Sequence, residues 1–144
     1  MSNSRWWLVT LVMPALYFVL VGTRFDGFTG QPALVFARDP STFTRLLADV
    51  GGASAVRDGV LVDLGFMALL AGALGLCLAK AGGPWVLVLP ALGLDFVEGM
   101  VLWVIAGDQD PSSSGLAVLL ALGVAKLLAY AVAVAVLLRA QVTD

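Results

Sequence analysis

The chain has 144 residues, of which 60% are hydrophobic and only 12% charged, and its mean hydropathy is +0.99. A soluble domain of this length cannot bury so much apolar surface, so these values predict a single integral membrane domain over residues 1–144. A formal charge of −2 without a basic cluster excludes a nucleic-acid interface, and the lack of histidine together with one cysteine, Cys77, excludes a His/Cys metal site and an internal disulfide.

The first predicted element is a membrane-spanning helix over residues 6–22. Trp6 and Trp7 have the amphipathic rings that mark a membrane interface. We interpret the segment as a retained helix and not as a signal peptide, because no small-residue cleavage site closes it. Tyr17 lies on this helix and is a candidate ligand-binding residue.

Residues 23–58 are predicted to form a long first loop, since glycine, proline and balanced charges recur along them. Within this loop Asp39, Pro40 and Ser41 are typical of a helix start, because Asp or Ser caps a helix and proline is tolerated in its first turn. The apolar residues that follow, up to Val50, share one face. A short amphipathic helix is therefore predicted to lie on the membrane surface.

Three further spans are predicted over residues 59–79, 85–106 and 116–138. Each has ~20 residues or more, which is enough to cross ~30 Å of hydrocarbon. The predicted fold is therefore an all-α, four-helix transmembrane bundle with both termini on one side. Basic residues are nearly balanced between the two sides, and the three that cap helix ends favour cytoplasmic termini.

Four ionisable residues interrupt the last three spans: Asp63, Asp95, Glu98 and Lys126. A lone charge at the centre of a membrane helix costs ~2.5–3.5 kcal/mol, so these side chains are expected to face each other inside the bundle. Measured from the predicted helix ends, Asp95 and Lys126 lie at a similar depth of ~15–16 Å, whereas Asp63 lies only ~6 Å in. Asp95 and Glu98 share a helix face, and an ion pair of Lys126 with one of them is predicted.

Two carboxylates one turn apart in a dry site cannot both stay ionised at low cost, so one is expected to carry a proton. A carboxylic acid beside a carboxylate can serve as general acid and general base. The predicted catalytic residues are Asp95, Glu98, Lys126 and Asp63, and the predicted ligand-binding residues are Tyr17, Trp103 and Tyr130. The alternatives are a structural ion pair and, for Asp63, a charge that reaches the interface beside Arg57.

The layout of a long first loop, an acidic second helix, Asp-x-x-Glu in the third helix and Lys in the fourth resembles a group of uncharacterised bacterial four-helix membrane proteins. In that group the third helix often reads Asp-x-x-Glu-Asn, whereas this chain has Gly99 after Glu98. The resemblance implies the bacterial inner (plasma) membrane and no particular activity. More loosely, the layout is similar to the emopamil-binding and sigma-2 receptor-type membrane fold, which implies a cavity for a lipophilic, sterol-like ligand.

Three functions fit these residues. The first is an acid–base enzyme or binding protein for a lipophilic small molecule, of isomerase, cyclase or epoxide-opening type, with no cofactor and no metal. The second is a proton-coupled transporter acting as a dimer, with Glu98 and Lys126 as proton and substrate sites; the sequence shows neither a broken helix pair nor an inverted repeat, and both absences argue against it. The third is an accessory membrane subunit. The predicted partners are the lipid bilayer, a lipophilic small molecule and, in a homo-oligomer, a second copy, but no nucleic acid.

Overall fold

The computed structural model describes residues 6–108 and 111–142, and side chains within residues 10–108 and 111–140. The regular structure of this part of the chain is entirely helical. The helices are α1 (Trp6–Leu20), α2 (Asp26–Val35), α3 (Pro40–Asp49), α4 (Gly52–Lys80), α5 (Val88–Ala106) and α6 (Ser113–Val142). Short 3-10 turns at Gly22–Arg24 and Trp85–Leu87 precede α2 and α5. The predicted interface side chains of Trp6 and Trp7 lie outside the described ones.

Three helices are long and apolar enough to cross a membrane: α4, α5 with its preceding turn, and α6. In contrast, α1 meets the same criterion only together with α2, from which it is bent by 97° at a short break. The described part of the chain therefore has three candidate spans, or four if the bent pair is one span, and is consistent with an integral membrane protein. The third predicted span coincides with Trp85–Ala106, and the fourth is longer than predicted at both ends.

The short helix expected after Asp39 is present as α3. The Asp39 carboxylate accepts hydrogen bonds from the Thr42 amide at 2.8 Å and the Ser41 hydroxyl at 2.6 Å, which is the geometry of an N-cap. Phe43, on the inner face of α3, is fully buried. Leu46 and Leu47 pack against the same core, so the helix is held by its cap and by an apolar face, while its place on the membrane surface remains a prediction.

Replacing Asp39 by alanine is expected to fray the first turn of α3. Hydrogen bonds from Ser41 and Thr42 lower the pKa of the exposed Asp39 carboxyl to about 2. Because the pKa is lower in the folded state, the cap contributes fully above about 3.9, the value of an unfolded Asp, and is lost as the pH falls through about 2. The protection factor of the Thr42 amide in hydrogen exchange should thus fall in Asp39→Ala at neutral pH. Asp49→Ala, at the opposite end of α3, should leave the protection factor of the Thr42 amide unchanged. An equal fall in protection in both variants would contradict the role of Asp39 as the N-cap.

The sequence does not predict α2, because Gly27, Gly30 and Pro32 are typical of a loop. The helix forms where Gly27 lies directly against α4. A Cβ atom at Gly27 would collide with the Ala55 carbonyl group, and one at Gly59 would collide with the backbone of Gly27. Such backbone contact at glycine is a common way for membrane helices to pack. The predicted long first loop is therefore largely helical and tightly packed.

The central helix α4 begins at Gly52, about two turns earlier than predicted. Gly51 and Gly52 have φ values of 97° and 82°, and this left-handed backbone ends α3 and lets α4 begin after only two intervening residues. Arg57 and Asp58, which indicated a loop in the sequence, lie on exposed positions of the first turns of α4. Because α4 starts earlier, every later residue of this helix lies further from its first residue than the sequence predicts.

Helix α4 is central and packs against α1, α2 and α5, while α6 packs mainly along α5. Two clusters of buried apolar side chains lie towards opposite ends of these helices. The first joins α2 and α3 to α4, α5 and α6, and includes Leu34, Val60 and Leu102. The second lies at the other ends of α4, α5 and α6, and includes Leu78 and Ala133. The ionisable residues of the spans lie between the two clusters.

Candidate functional site

A charged cluster joins α5 to α6 near the middle of both helices. Lys126 Nζ donates a hydrogen bond to Glu98 Oε1 at 2.5 Å and lies 2.7 Å from Asp95 Oδ1. The exposed fractions of the three side chains are 14% for Lys126, 6% for Glu98 and 1% for Asp95. Because Asp95 and Glu98 are one helical turn apart, a single ammonium group reaches both. The predicted ion pair is therefore present, and it includes both carboxylates instead of one.

Two buried oxygen atoms of this cluster have no hydrogen-bond donor among the described residues: Glu98 Oε2 and Asp95 Oδ2. The other oxygen of Asp95, Oδ1, is paired with the Lys126 ammonium group, whose nitrogen lies 2.7 Å away. A buried acceptor left unpaired costs ~1–3 kcal/mol, and more when it is charged. Two carboxylates also carry one more charge than Lys126 neutralises. The cluster can therefore accept a further proton or a hydrogen bond from a further donor.

A cavity of about 460 Å³ lies beside the cluster, with walls from α1, α2, α4, α5 and α6. Apolar residues and one glycine form most of the wall: Phe18, Phe28, Pro32, Val35, Phe36, Phe66, Met67, Leu70, Gly123 and Leu127. Its polar residues are Thr29, Gln31, Asp63, Glu98, Lys126 and Tyr130. Small-molecule sites typically have volumes of roughly 300–1,000 Å³, an apolar lining and a few converging polar groups. The cavity meets all three conditions.

Glu98 connects the charged cluster to the cavity. Its Oε1 accepts the hydrogen bond from Lys126, while its Oε2 is unpaired and the side chain lines the cavity. Gly123 leaves space for this oxygen, since a Cβ atom there would lie 3.1 Å from Oε2 and 2.6 Å from a methyl group of Val35. Asp95 is not among the lining residues. Of the two carboxylates on α5, only Glu98 is therefore in a position to meet a ligand.

Asp63 lies deeper in its helix than predicted. Because α4 begins at Gly52, Asp63 is ~16 Å from that end of the helix instead of ~6 Å. It lines the same cavity as Glu98, and it has no hydrogen bond or ion pair with any other described residue. The sequence predicts that Asp63 reaches the interface beside Arg57. The guanidinium group of Arg57 lies over the ring of Trp103 on α5. Asp63 thus belongs to the cavity wall.

Tyr130 is the one predicted ligand-binding residue that lines the cavity, and its hydroxyl lies 4.0 Å from Met67 Sδ. Tyr17 has a different role. Its hydroxyl donates to the Val62 carbonyl oxygen at 3.2 Å, above Gly65, where a Cβ atom would lie 2.6 Å from that hydroxyl. Tyr17 therefore ties α1 to α4 and does not form part of the cavity wall.

Trp103 also lies away from the cavity. It is five residues after Glu98, which places it ~140° around the helix from that residue. The guanidinium group of Arg57 lies 5.6 Å from the centre of its ring, within the range of a cation–π contact. Trp103 therefore takes part in the contact between α4 and α5, and it is not among the residues that line the cavity.

Four phenylalanines line the cavity without a prediction from the sequence, and three of them contact one another. The rings of Phe18, Phe28 and Phe66 are 5.7–5.9 Å apart between centres and pack edge-on or tilted. Phe66 has a sequence signal, because it lies three residues after Asp63 and shares its helix face. Phe28 and Gln31 have none, because they lie on α2, whose sequence is typical of a loop.

The fold and the cavity define a helical protein, consistent with an integral membrane protein, that has a buried ion cluster beside an apolar cavity. Its described residues include no group of three or more His, Cys, Asp or Glu side chains arranged to hold a metal ion. In comparisons with protein-family models, curated proteins and solved structures, nothing matches this chain. The two family resemblances noted from its layout remain predictions.

Proposed function

We propose that this chain binds a lipophilic small molecule in the cavity and, where that molecule is a substrate, acts on it by general acid–base catalysis. The observation that carries the proposal is Glu98 Oε2, a buried oxygen without a donor on the wall of an apolar cavity. Buried polar atoms in proteins are nearly always paired. A ligand that donates to this oxygen removes the cost of leaving it unpaired. Ionisable residues inside membrane spans are also functional by default.

The proposed acid–base pair is Glu98 and Asp63, because both line the cavity. Lys126 fixes Glu98 through Oε1 and leaves Oε2 to the ligand. Asp95 contacts the same ammonium group, so in this proposal it is a positioning residue that holds Lys126. The roles therefore differ from those expected from the sequence, in which Asp95 and Glu98 form the pair.

The reaction class we propose is isomerisation, cyclisation or epoxide opening. In an isomerisation, the carboxylic acid gives a proton to one end of a double bond and the carboxylate removes a proton from a neighbouring carbon, so no reagent is consumed. Exclusion of water from an apolar cavity protects the charged intermediate from side reactions. Neither a cofactor nor a metal takes part in these steps.

We further propose four membrane spans, with α1 as the first and α3 at the membrane surface. Length and composition support α4, α5 and α6 directly, and they support α1 when it is taken with α2. An even number of spans places both termini on one side, which we assign to the cytoplasm of a bacterial cell. The similarity in layout to the emopamil-binding and sigma-2 receptor-type fold agrees with a lipophilic ligand.

Glu98→Gln is the variant that tests the proposed function. Glu98 is the only glutamate of the chain, and the amide keeps its size while removing the charge. Native mass spectrometry of protein purified in a mild non-ionic detergent should show a bound lipophilic molecule on the wild type. We expect occupancy to fall by at least ~10-fold in Glu98→Gln, because a hydrogen bond to a charged group contributes ~1.5–3 kcal/mol.

Asp58→Asn provides the matched control, because Asp58 is an exposed acid on α4 outside the cavity. This variant should keep the wild-type occupancy. A wild-type protein that carries nothing beyond detergent and bulk lipid would contradict the proposal. The same conclusion would follow if Glu98→Gln and Asp58→Asn bound the molecule equally well.

A proton-coupled transporter is the second candidate, and one observation favours it. α1 and α2 form a broken helix pair with a bend of 97°, and both contribute to the cavity wall. Broken helices beside the substrate site are typical of transporters. The bent pair therefore answers one of the two sequence arguments against transport, whereas the lack of an inverted repeat still stands. Proton flux in proteoliposomes that depends on both Glu98 and Lys126 would support transport, and ligand binding without any flux would exclude it.

A further inference from the structure

Gln31 is a buried polar side chain on the cavity wall that has no role in the proposed acid–base pair. It lies on α2, is only 7% exposed and lines the cavity. Its carboxamide has no hydrogen bond with any other described residue. Neither polar atom of this carboxamide is fully enclosed by protein, so the open space that it meets is the cavity. Because buried polar groups are nearly always paired, a partner for this amide is expected inside the cavity.

The position of Gln31 on α2 brings its amide close to the site of the proposed chemistry. Gln31 is four residues before Val35, so the two side chains share a helix face with ~5–6 Å between their Cβ atoms. A Cβ atom at Gly123 would lie 2.6 Å from Val35 Cγ1 and 3.1 Å from Glu98 Oε2, so Val35 lies near this oxygen. Phe28, three residues before Gln31, belongs to the group of contacting rings. Along α2, Gln31 therefore lies between the aromatic part of the cavity and the part next to Glu98.

Hydrogen-bond donors are scarce on this wall. The ammonium group of Lys126 contacts two carboxylates, and the hydroxyl of Thr29 donates to carbonyl oxygens of the preceding turn. The Tyr130 hydroxyl faces Met67 Sδ. Ionised carboxylates accept hydrogen bonds and donate none. Gln31 is therefore the one side chain of the described wall whose N–H donors have no acceptor.

A carbonyl oxygen is the ligand group that suits such a donor. It accepts hydrogen bonds and has no proton of its own to donate, so only donors on the wall can pair with it. A hydroxyl group could donate to Glu98 Oε2 instead and leave Gln31 without a partner. The unpaired amide therefore favours a ligand with a carbonyl group over one with a hydroxyl group.

A carbonyl group also suits the proposed acid–base chemistry. In a β,γ-unsaturated ketone, a carboxylate takes the proton from the carbon between C=O and C=C, and the electron pair of that C–H bond forms a dienolate with its charge on the carbonyl oxygen. The carboxylic acid then protonates the far end of the dienolate, so the double bond moves next to C=O and no atom or electron is gained or lost. A donor aimed at this oxygen stabilises the charge that develops there.

We propose that Gln31 determines which ligand the cavity accepts, by donating a hydrogen bond from Nε2 to the carbonyl oxygen of a lipophilic ketone. The hydrocarbon part of the ketone packs against the three contacting rings of the wall. This proposal rests on the proposed function and specifies its substrate class.

The test compares dodecan-2-one with 2-methyldodec-1-ene, in which a C=CH2 group replaces C=O and the rest of the molecule is unchanged. Both are titrated into protein in a mild non-ionic detergent, and occupancy is measured by native mass spectrometry. We expect the wild type to bind the ketone at least ~5-fold more tightly, which corresponds to ~1 kcal/mol, the net contribution of one hydrogen bond. The infrared C=O band of isotope-labelled dodecan-2-one should also move to lower frequency on binding, because the hydrogen bond weakens the C=O bond.

Gln31→Met keeps the length of the side chain and removes the amide, and Gln31→Leu is a second apolar replacement of different shape. Both variants should bind ketone and alkene about equally, and the bound ketone should lose the shift of its C=O band. Ala33→Met is the matched control, because it introduces the same side chain on α2 at an exposed position outside the cavity. This variant should keep the ketone preference.

Equal binding of ketone and alkene to the wild type, or a C=O band that does not move, would overturn the ketone proposal and leave the proposed function standing. A ketone preference that persists in both Gln31 variants would overturn the assignment to Gln31. If neither variant folds, the position of the C=O band in the wild type decides. A wild type that binds neither probe but carries another lipophilic molecule would overturn the ketone proposal alone, whereas one that binds neither and carries nothing would overturn the proposed function as well.

Discussion

Lys126→Met is expected to lower the free energy of unfolding by about 3–5 kcal/mol, which is the usual cost of removing one partner from a buried ion pair. The substitution leaves Asp95 and Glu98 buried one turn apart without their shared cation. Methionine keeps the unbranched apolar stem, so the loss reports on the charge more than on packing. Unfolding of the purified protein in mixed micelles with increasing denaturing detergent, followed by circular dichroism, measures the change.

Two further variants separate the charge effect from a general effect of removing lysine. Lys80→Met, on the exposed end of α4, should change stability by no more than ~1 kcal/mol, the upper value for an exposed charge in contact with a partner. Adding Asp95→Asn and Glu98→Gln to Lys126→Met should recover most of the loss, because neutral amides need no counter-charge. If Lys126→Met were as stable as the wild type, the two carboxylates would not depend on the ammonium group.

The spans and α3 are predictable because their signals are local. Long apolar runs, interrupted by only one or two charged residues each, define α4, α5 and α6, and Asp39 followed by Pro40 marks the start of α3 whatever packs against it. Helix α2 and the early start of α4 depend on tertiary contacts instead. Gly27 is typical of a loop in sequence, yet its lack of a side chain is what lets α2 lie against Gly59 on α4.

The charged cluster is also predictable, since spacing and depth along two helices are enough to bring Asp95, Glu98 and Lys126 together. The sequence places Asp63 too close to the start of α4. Arg57 and Asp58 are typical of a loop, so the first two turns of the helix are not predicted. Trp103 does not line the cavity, and the sequence could not show this, because the depth of a residue along α5 says nothing about its direction around the helix. Rotation of each helix about its axis is set by packing, and so is the choice of which carboxylate faces the cavity.

The contact between Gly27 and Gly59 leads to the second prediction with a large effect. An alanine at position 59 would place its Cβ atom against the backbone of Gly27 and Phe28, and backbone cannot turn aside as a flexible side chain can. The two helices must therefore separate, at a cost of about 1–3 kcal/mol. Separation also moves Phe28 and Gln31, which form part of the cavity wall, so ligand binding should be lost together with stability.

Gly72→Ala and Gly93→Ala are the controls for Gly59→Ala, because a Cβ atom at either position has no neighbour within 4 Å. Both lie inside helices, where alanine is favoured over glycine by roughly 0.5–1 kcal/mol, so these variants should be as stable as the wild type or slightly more so. Denaturing-detergent titrations and ligand occupancy are measured for all three variants. If Gly59→Ala were as stable as the controls and kept its ligand, the close packing of α2 on α4 would be contradicted, and with it the cavity wall on which the proposed site depends.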